Sequence, residues 1–115
     1  TINNNTERGI VLVQQGEEIS TEMVADPNGG PMRPGRVDRA KRGDVVVLSS
    51  DSYDTHRVEN AVEGRTSISI HVYGANIGAV RRAMFNAETS QPEYFISGYD
   101  NRSVPNLWDL SRAAI

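Results

Sequence analysis

The sequence predicts an all-β domain. Three observations carry that expectation. Short runs rich in β-branched residues recur along the chain, turns rich in Gly and Pro separate them, and one run alternates polar and apolar residues with a period of two. No segment of helical period is evident before the C-terminal tail. An antiparallel sandwich or barrel is the expected arrangement, in one domain, because 115 residues suffice for one compact core and not two.

The elements follow in order. "GIVLVQ" (9–14) reads as a strand, and "EEISTEMV" (17–24), after Gly16, as its hairpin partner. "ADPNGGPMRPGR" (25–36) reads as a long loop, of the kind that faces a partner or carries function. "GDVVVLSS" (43–50) is a continuous apolar run, which predicts a strand covered on both faces. "THRVEN" (55–60) reads as extended, "EGR" (63–65) as a turn, and "TSISIHVYG" (66–74) as the clearest strand. "VRRAMFN" (80–86) and "EYFISGY" (93–99) read as two more strands across the turn "AETSQP". The tail "PNLWDLSRAAI" predicts a short helix at most, with Asn106 as a plausible N-cap.

Composition narrows the function. Twelve basic against fifteen acidic residues leave a net charge of −3, without the basic surplus of a nucleic-acid binder. One local exception is "RPGRVDRAKR" (33–42), with Arg33, Arg36, Arg39, Lys41 and Arg42 partly balanced by Asp38 and Asp44. It reads as a solvated loop, or as a basic rim that attracts an anion. No apolar run approaches the ~18 residues of a membrane span, so no membrane partner is expected. The opening "TINNNTERG" reads as no signal peptide, and the missing Met at position 1 points to processing or a fragment. Cysteine is absent, which excludes disulfides, thiolate metal sites and a Cys nucleophile from this chain. A cytoplasmic location fits these features.

Two histidines, His56 and His71, are the candidates for chemistry. On the strand 66–74, Ser67, Ser69, His71 and Tyr73 share one face and Ile68, Ile70 and Val72 the other. Alternate residues lie ~6.6 Å apart along a strand, so Ser69, His71 and Tyr73 can form a hydrogen-bonded row that orients the imidazole. The same pattern also describes a solvent face opposite a buried aliphatic one. His56 lies among Asp51, Asp54, Thr55, Arg57, Glu59 and Asn60. A neutral imidazole suits iron, zinc, nickel or copper, yet a mononuclear site needs about three protein ligands. A Ser-His-Asp hydrolase from Ser69, His71 and Asp51 has only composition behind it, because no nucleophile elbow is present.

These residues also carry a resemblance. "GDVVVLSSDSYDTHRVEN", with His56 and Asn60 in a His-x3-Asn ending, resembles the second conserved motif of the cupins, the double-stranded β-helix or jelly-roll barrel proteins. The motif's inner Pro and Gly are missing, and Gly43 stands two residues early. "HRVEN" followed by "SISIHVYG", and the later "FISGYDNRSVPNLWD", resemble the thiol dioxygenase branch: cysteine dioxygenase and the bacterial 3-mercaptopropionate-type relatives. The resemblance covers roughly residues 36 to 110. It implies a non-heme iron(II) enzyme that oxidises a small thiol to its sulfinate with O2. His56 would be a metal ligand. Ser69, His71 and Tyr73 would be the catalytic outer-sphere triad, with Tyr73 toward the iron and the polar strand face inside the barrel.

The family's other two histidine ligands come from a His-x-His pair on an earlier strand, and this chain has no such pair and no third histidine. The resemblance therefore implies a single partial cupin domain over residues 1–115, completed by a second polypeptide that carries the N-terminal part. The competing expectation is a non-catalytic cupin-like subunit that binds a small ligand. A cupin fold with other chemistry is a third, since fold alone does not fix function.

Overall fold

A computed structural model describes residues 2–4, 7–49 and 55–101. The described residues are all-β, with nine strands in two antiparallel sheets. The strands are β1 (Ile2–Asn4), β2 (Gly9–Gln15), β3 (Glu17–Val24), β4 (Arg33–Lys41), β5 (Val45–Leu48), β6 (Thr55–Asn60), β7 (Ile68–Tyr73), β8 (Arg82–Phe85) and β9 (Pro92–Phe95). The larger sheet has the order β4-β3-β6-β1-β8-β9, and the smaller β5-β2-β7. From β4 to β8 successive strands alternate between the sheets, so the two sheets share one interior. Among the described residues, the only helical element is a 3₁₀ turn at Ile77–Ala79, and no helix is long and apolar enough to cross a membrane. The expected helix after Asn106 lies outside the described residues.

The expected β2–β3 hairpin does not form. β2 pairs with β5 and β7, whereas β3 pairs with β4 and β6. Gly16 is the single residue between the two strands, too short for the two-residue hairpin turns that return a chain beside itself. The chain swings from one sheet to the other instead. Gly16 makes that corner at φ +77°, and a Cβ there would lie 2.1 Å from Ser67 Oγ. Ser67 closes the corner by accepting the Glu17 N–H at 3.0 Å and donating to Asn60 Oδ1 at 2.7 Å.

Two further expectations change. The basic segment 33–42 is not a loop. It forms β4, an edge strand, where Pro34 and Gly35 are tolerated and a row of charges faces water. Nor is β5 covered on both faces: Val45 and Val47 are 56% and 64% exposed, because no layer of described residues lies beyond the smaller sheet. A continuous apolar run does not reveal which of its faces is covered. β1 was not expected at all.

The core has two parts. Val11 and Leu48, with Val46 against them, pack between the sheets, and Val13 beside them is almost fully buried. On the far face of the larger sheet, Ile2, Met23, Met32 and Phe85 form a second cluster. Met32 reaches it from the 25–32 loop, which is tied down by Met32 N–H donating to Ala87 O at 2.8 Å. Ser90 Oγ also holds that loop, accepting from Asp26 N–H at 2.9 Å and donating to Gly30 O at 2.7 Å. The loop's role in the fold is therefore packing.

Candidate functional site

β7 turns its polar row toward the larger sheet, with Ser69 and Tyr73 half-buried and His71 still exposed to solvent. Its pairing with β2 sets Ser69 opposite Val13 and His71 opposite Val11, both buried, and directly opposed residues share a face. Ile68, Ile70 and Val72 therefore point outward, 42%, 46% and 55% exposed. The aliphatic face is therefore not the buried one, although His71 on the polar face still reaches solvent.

His56 enters the same interior from the other sheet. It is buried on β6, between Glu22 of β3 and Asn3 of β1 in the cross-strand register. A cavity between the sheets is lined by His56 and His71 together with Glu18, Ser20 and an aliphatic wall that includes Val11, Val13 and Leu48. The two histidines, 15 positions apart in sequence, thus meet in one place.

Within the row, Ser69 Oγ and His71 Nε2 are joined by a hydrogen bond of 3.0 Å. The Tyr73 ring stands beside that of His71, with centroids 6.3 Å apart and planes tilted by 32°, which is a ring contact. Tyr73 itself lines an open groove at the end of the smaller sheet with Arg8, Gly9 and Ser49. Gly9 makes room for it, because a Cβ there would lie 3.1 Å from Tyr73 Cδ1. The structure thus brings His56 and His71 to the cavity, bonds Ser69 to His71 beside it, and sets Tyr73 at its neighbour's shoulder. Asp51 and Asp54 lie outside the described residues.

Electrostatics favour a neutral His71. Loss of water around the ring holds its pKa below 6.5, the nearby Glu18 carboxylate opposes that shift, and the His56 imidazole adds to it. A neutral imidazole has one nitrogen free to accept a proton or a hydrogen bond.

Among the described residues, no three His, Asp or Glu side chains converge to hold a metal ion. Glu22, although opposite His56, extends over Gly35, where an added Cβ would lie 2.8 Å from its Oε1. One oxygen next to His56 is different: Asn3 Oδ1 is buried and accepts no hydrogen bond. A buried imidazole beside an unsatisfied carbonyl oxygen is a donor pair that fits a divalent cation in part. Sequence reasoning passed over Asn3. Its only signal is an Asn in a short polar run, which ordinarily marks a turn.

No known protein-family model matches the chain.

Proposed function

We propose that the chain is the C-terminal part of a cupin-type, non-heme iron thiol dioxygenase, acting in the cytoplasm on a small thiol such as cysteine or 3-mercaptopropionate. The observation that carries this reading is the convergence of His56 and His71 on one cavity, with Ser69 hydrogen-bonded to His71. These are the residues that the resemblance to thiol dioxygenases singles out. The net reaction joins both atoms of O2 to the sulfur of the thiol, giving the sulfinate.

Iron(II), when bound, supplies the redox centre at which thiol and O2 meet. The chain's own residues do the rest. His56 offers an imidazole to the metal. Ser69 fixes the orientation of His71, whose burial-lowered basicity keeps it neutral and able to take a proton near the reacting sulfur. Tyr73 packs against His71 and limits its rotation. Val11, Val13 and Leu48 give the cavity an apolar wall.

The remaining metal donors would come from a second polypeptide. The outer face of the smaller sheet is where such a partner would dock. Ile10, Leu12, Val45, Val47, Ile68, Ile70 and Val72 are all exposed there, with no charged side chain among them. Soluble monomers rarely expose an apolar patch beyond roughly 300–600 Å². The edges differ as well. β4 guards one edge of the larger sheet with arginines and Pro34, and Pro92 opens β9 on the other, whereas β5 and β7 carry no such device.

Metal analysis and O2 consumption with cysteine, cysteamine and 3-mercaptopropionate test the proposal on the complete assembly. Iron without O2 uptake on any thiol would overturn the dioxygenase reading. That outcome would favour the alternative, a cupin-like module that binds a small ligand.

A further inference from the structure

We infer that Asn3 is a second metal-binding residue of this chain, its Oδ1 and the His56 imidazole holding one divalent cation between them. The inference rests on the iron reading of His56 and extends it to a residue outside the Ser69–His71–Tyr73 row.

Three observations converge. First, β1 lies between β6 and β8, and its register puts Asn3 directly opposite His56. Opposed residues on antiparallel strands project from the same face with Cβ atoms about 5 Å apart. Two side chains of this length can meet on one ion from that spacing. Second, Asn3 Oδ1 is buried and lacks a hydrogen-bond partner. A buried carbonyl oxygen left so costs about 1–3 kcal/mol, and a native fold rarely keeps one without a reason. Third, Asn is depleted in strands, and this one stands in an inner strand, paired on both sides. The other neighbour of His56 on this face, Glu22, is turned toward Gly35. The unsatisfied oxygen is therefore on the β1 side.

A side-chain amide oxygen is a neutral, hard donor, and imidazole a borderline nitrogen donor. Together they suit Fe(II), Mn(II) or Co(II). They leave more of the positive charge unneutralised than a carboxylate would. With Asn3 counted, the described residues contribute two donors rather than one.

The test is an anaerobic Co(II) titration, followed by absorption, of the chain with whatever polypeptide copurifies with it. Wild type is compared with Asn3→Ala, Asn3→Asp and His56→Ala, each checked for fold by circular dichroism. Asn3→Ala is expected to weaken binding about tenfold or more, and His56→Ala to abolish it. Asn3→Asp keeps the shape and adds a negative donor, so it is expected to tighten binding. It also decides the matter if Asn3→Ala does not fold. Unchanged affinity in both Asn3 variants, with binding lost in His56→Ala, overturns the role of Asn3 and leaves the iron reading standing. Wild-type affinity in His56→Ala overturns the iron reading, and the pair with it.

Discussion

His71 is the residue at which burial and charge pull in opposite directions. Burial lowers its pKa and Glu18 raises it. An imidazole whose folded pKa lies below 6.5 binds fewer protons folded than unfolded just below that pH. Its contribution to stability is therefore full above 6.5 and is lost as the pH falls from there through the folded pKa. A proton NMR titration of His71 should give a midpoint below 6.5, and Glu18→Gln should move it lower still. A midpoint above 6.5 in wild type would show that the ring is not desolvated. Val13 is a plainer case. It is 1% exposed, and Val13→Ala removes two carbons' worth of burial and leaves a void, a loss of about 2 kcal/mol in denaturant unfolding. Ser69, His71 and His56 were legible as candidates from residue type and spacing. Asn3 was not, because what marks it is an unmet hydrogen bond, which exists only once neighbouring strands are in place.

At the scale of the elements, β7 shows how far pattern alone reaches. Its period of two was plain in the sequence, and the pairing with β2 keeps the two faces apart, although His71 on the inner one is exposed. Which face goes inside was not, because hydrophobicity alone puts Ile68, Ile70 and Val72 in the core, and they lie outside. Strand β1 escaped notice for a related reason. Three residues, Ile-Asn-Asn, have no strand signal of their own and are extended because β6 and β8 flank them. Strand β4 was missed because Pro34 and Gly35 signal a loop everywhere except on an edge. The charges of β4 serve water more than stability. Arg39 Nη1 and Glu17 Oε2 are 3.1 Å apart across β3 and β4, yet both side chains reach solvent. Arg39→Ala should therefore cost no more than about 1 kcal/mol in a urea titration. A loss several times larger would mean that the pair anchors the strand.

For the whole molecule, the two sheets were legible as a fold class from the turns and β-branched runs, but not the assignment of strands to sheets. That assignment turns on Gly16, whose corner sends β3 away from β2. The outer aliphatic face gives the prediction at this scale. If it binds a polypeptide, Val47→Lys or Ile70→Lys should release that partner on sedimentation while the circular dichroism is unchanged. A wild-type protein that sediments as a lone, compact monomer would remove the partner from the proposal.

The corner at Gly16 has one more consequence, for the fidelity of folding. A shift of β7 by one residue against β2 would exchange its two faces. Ile68, Ile70 and Val72 would then face the larger sheet, and His71 would turn away from the cavity. Counted in apolar burial alone, that misfolded arrangement is the better one. Burial therefore cannot be what keeps β7 in place. Specific, non-hydrophobic contacts must do so, and they lie at the strand's entrance: Ser67 against Gly16, its bonds to Glu17 and Asn60, and Gln15 Nε2 donating to Thr66 O at 2.8 Å. This corner is a proofreading latch. It holds a polar strand face toward the other sheet at the expense of a greasier alternative, as a chain must when the side chain that has to face its cavity is a histidine.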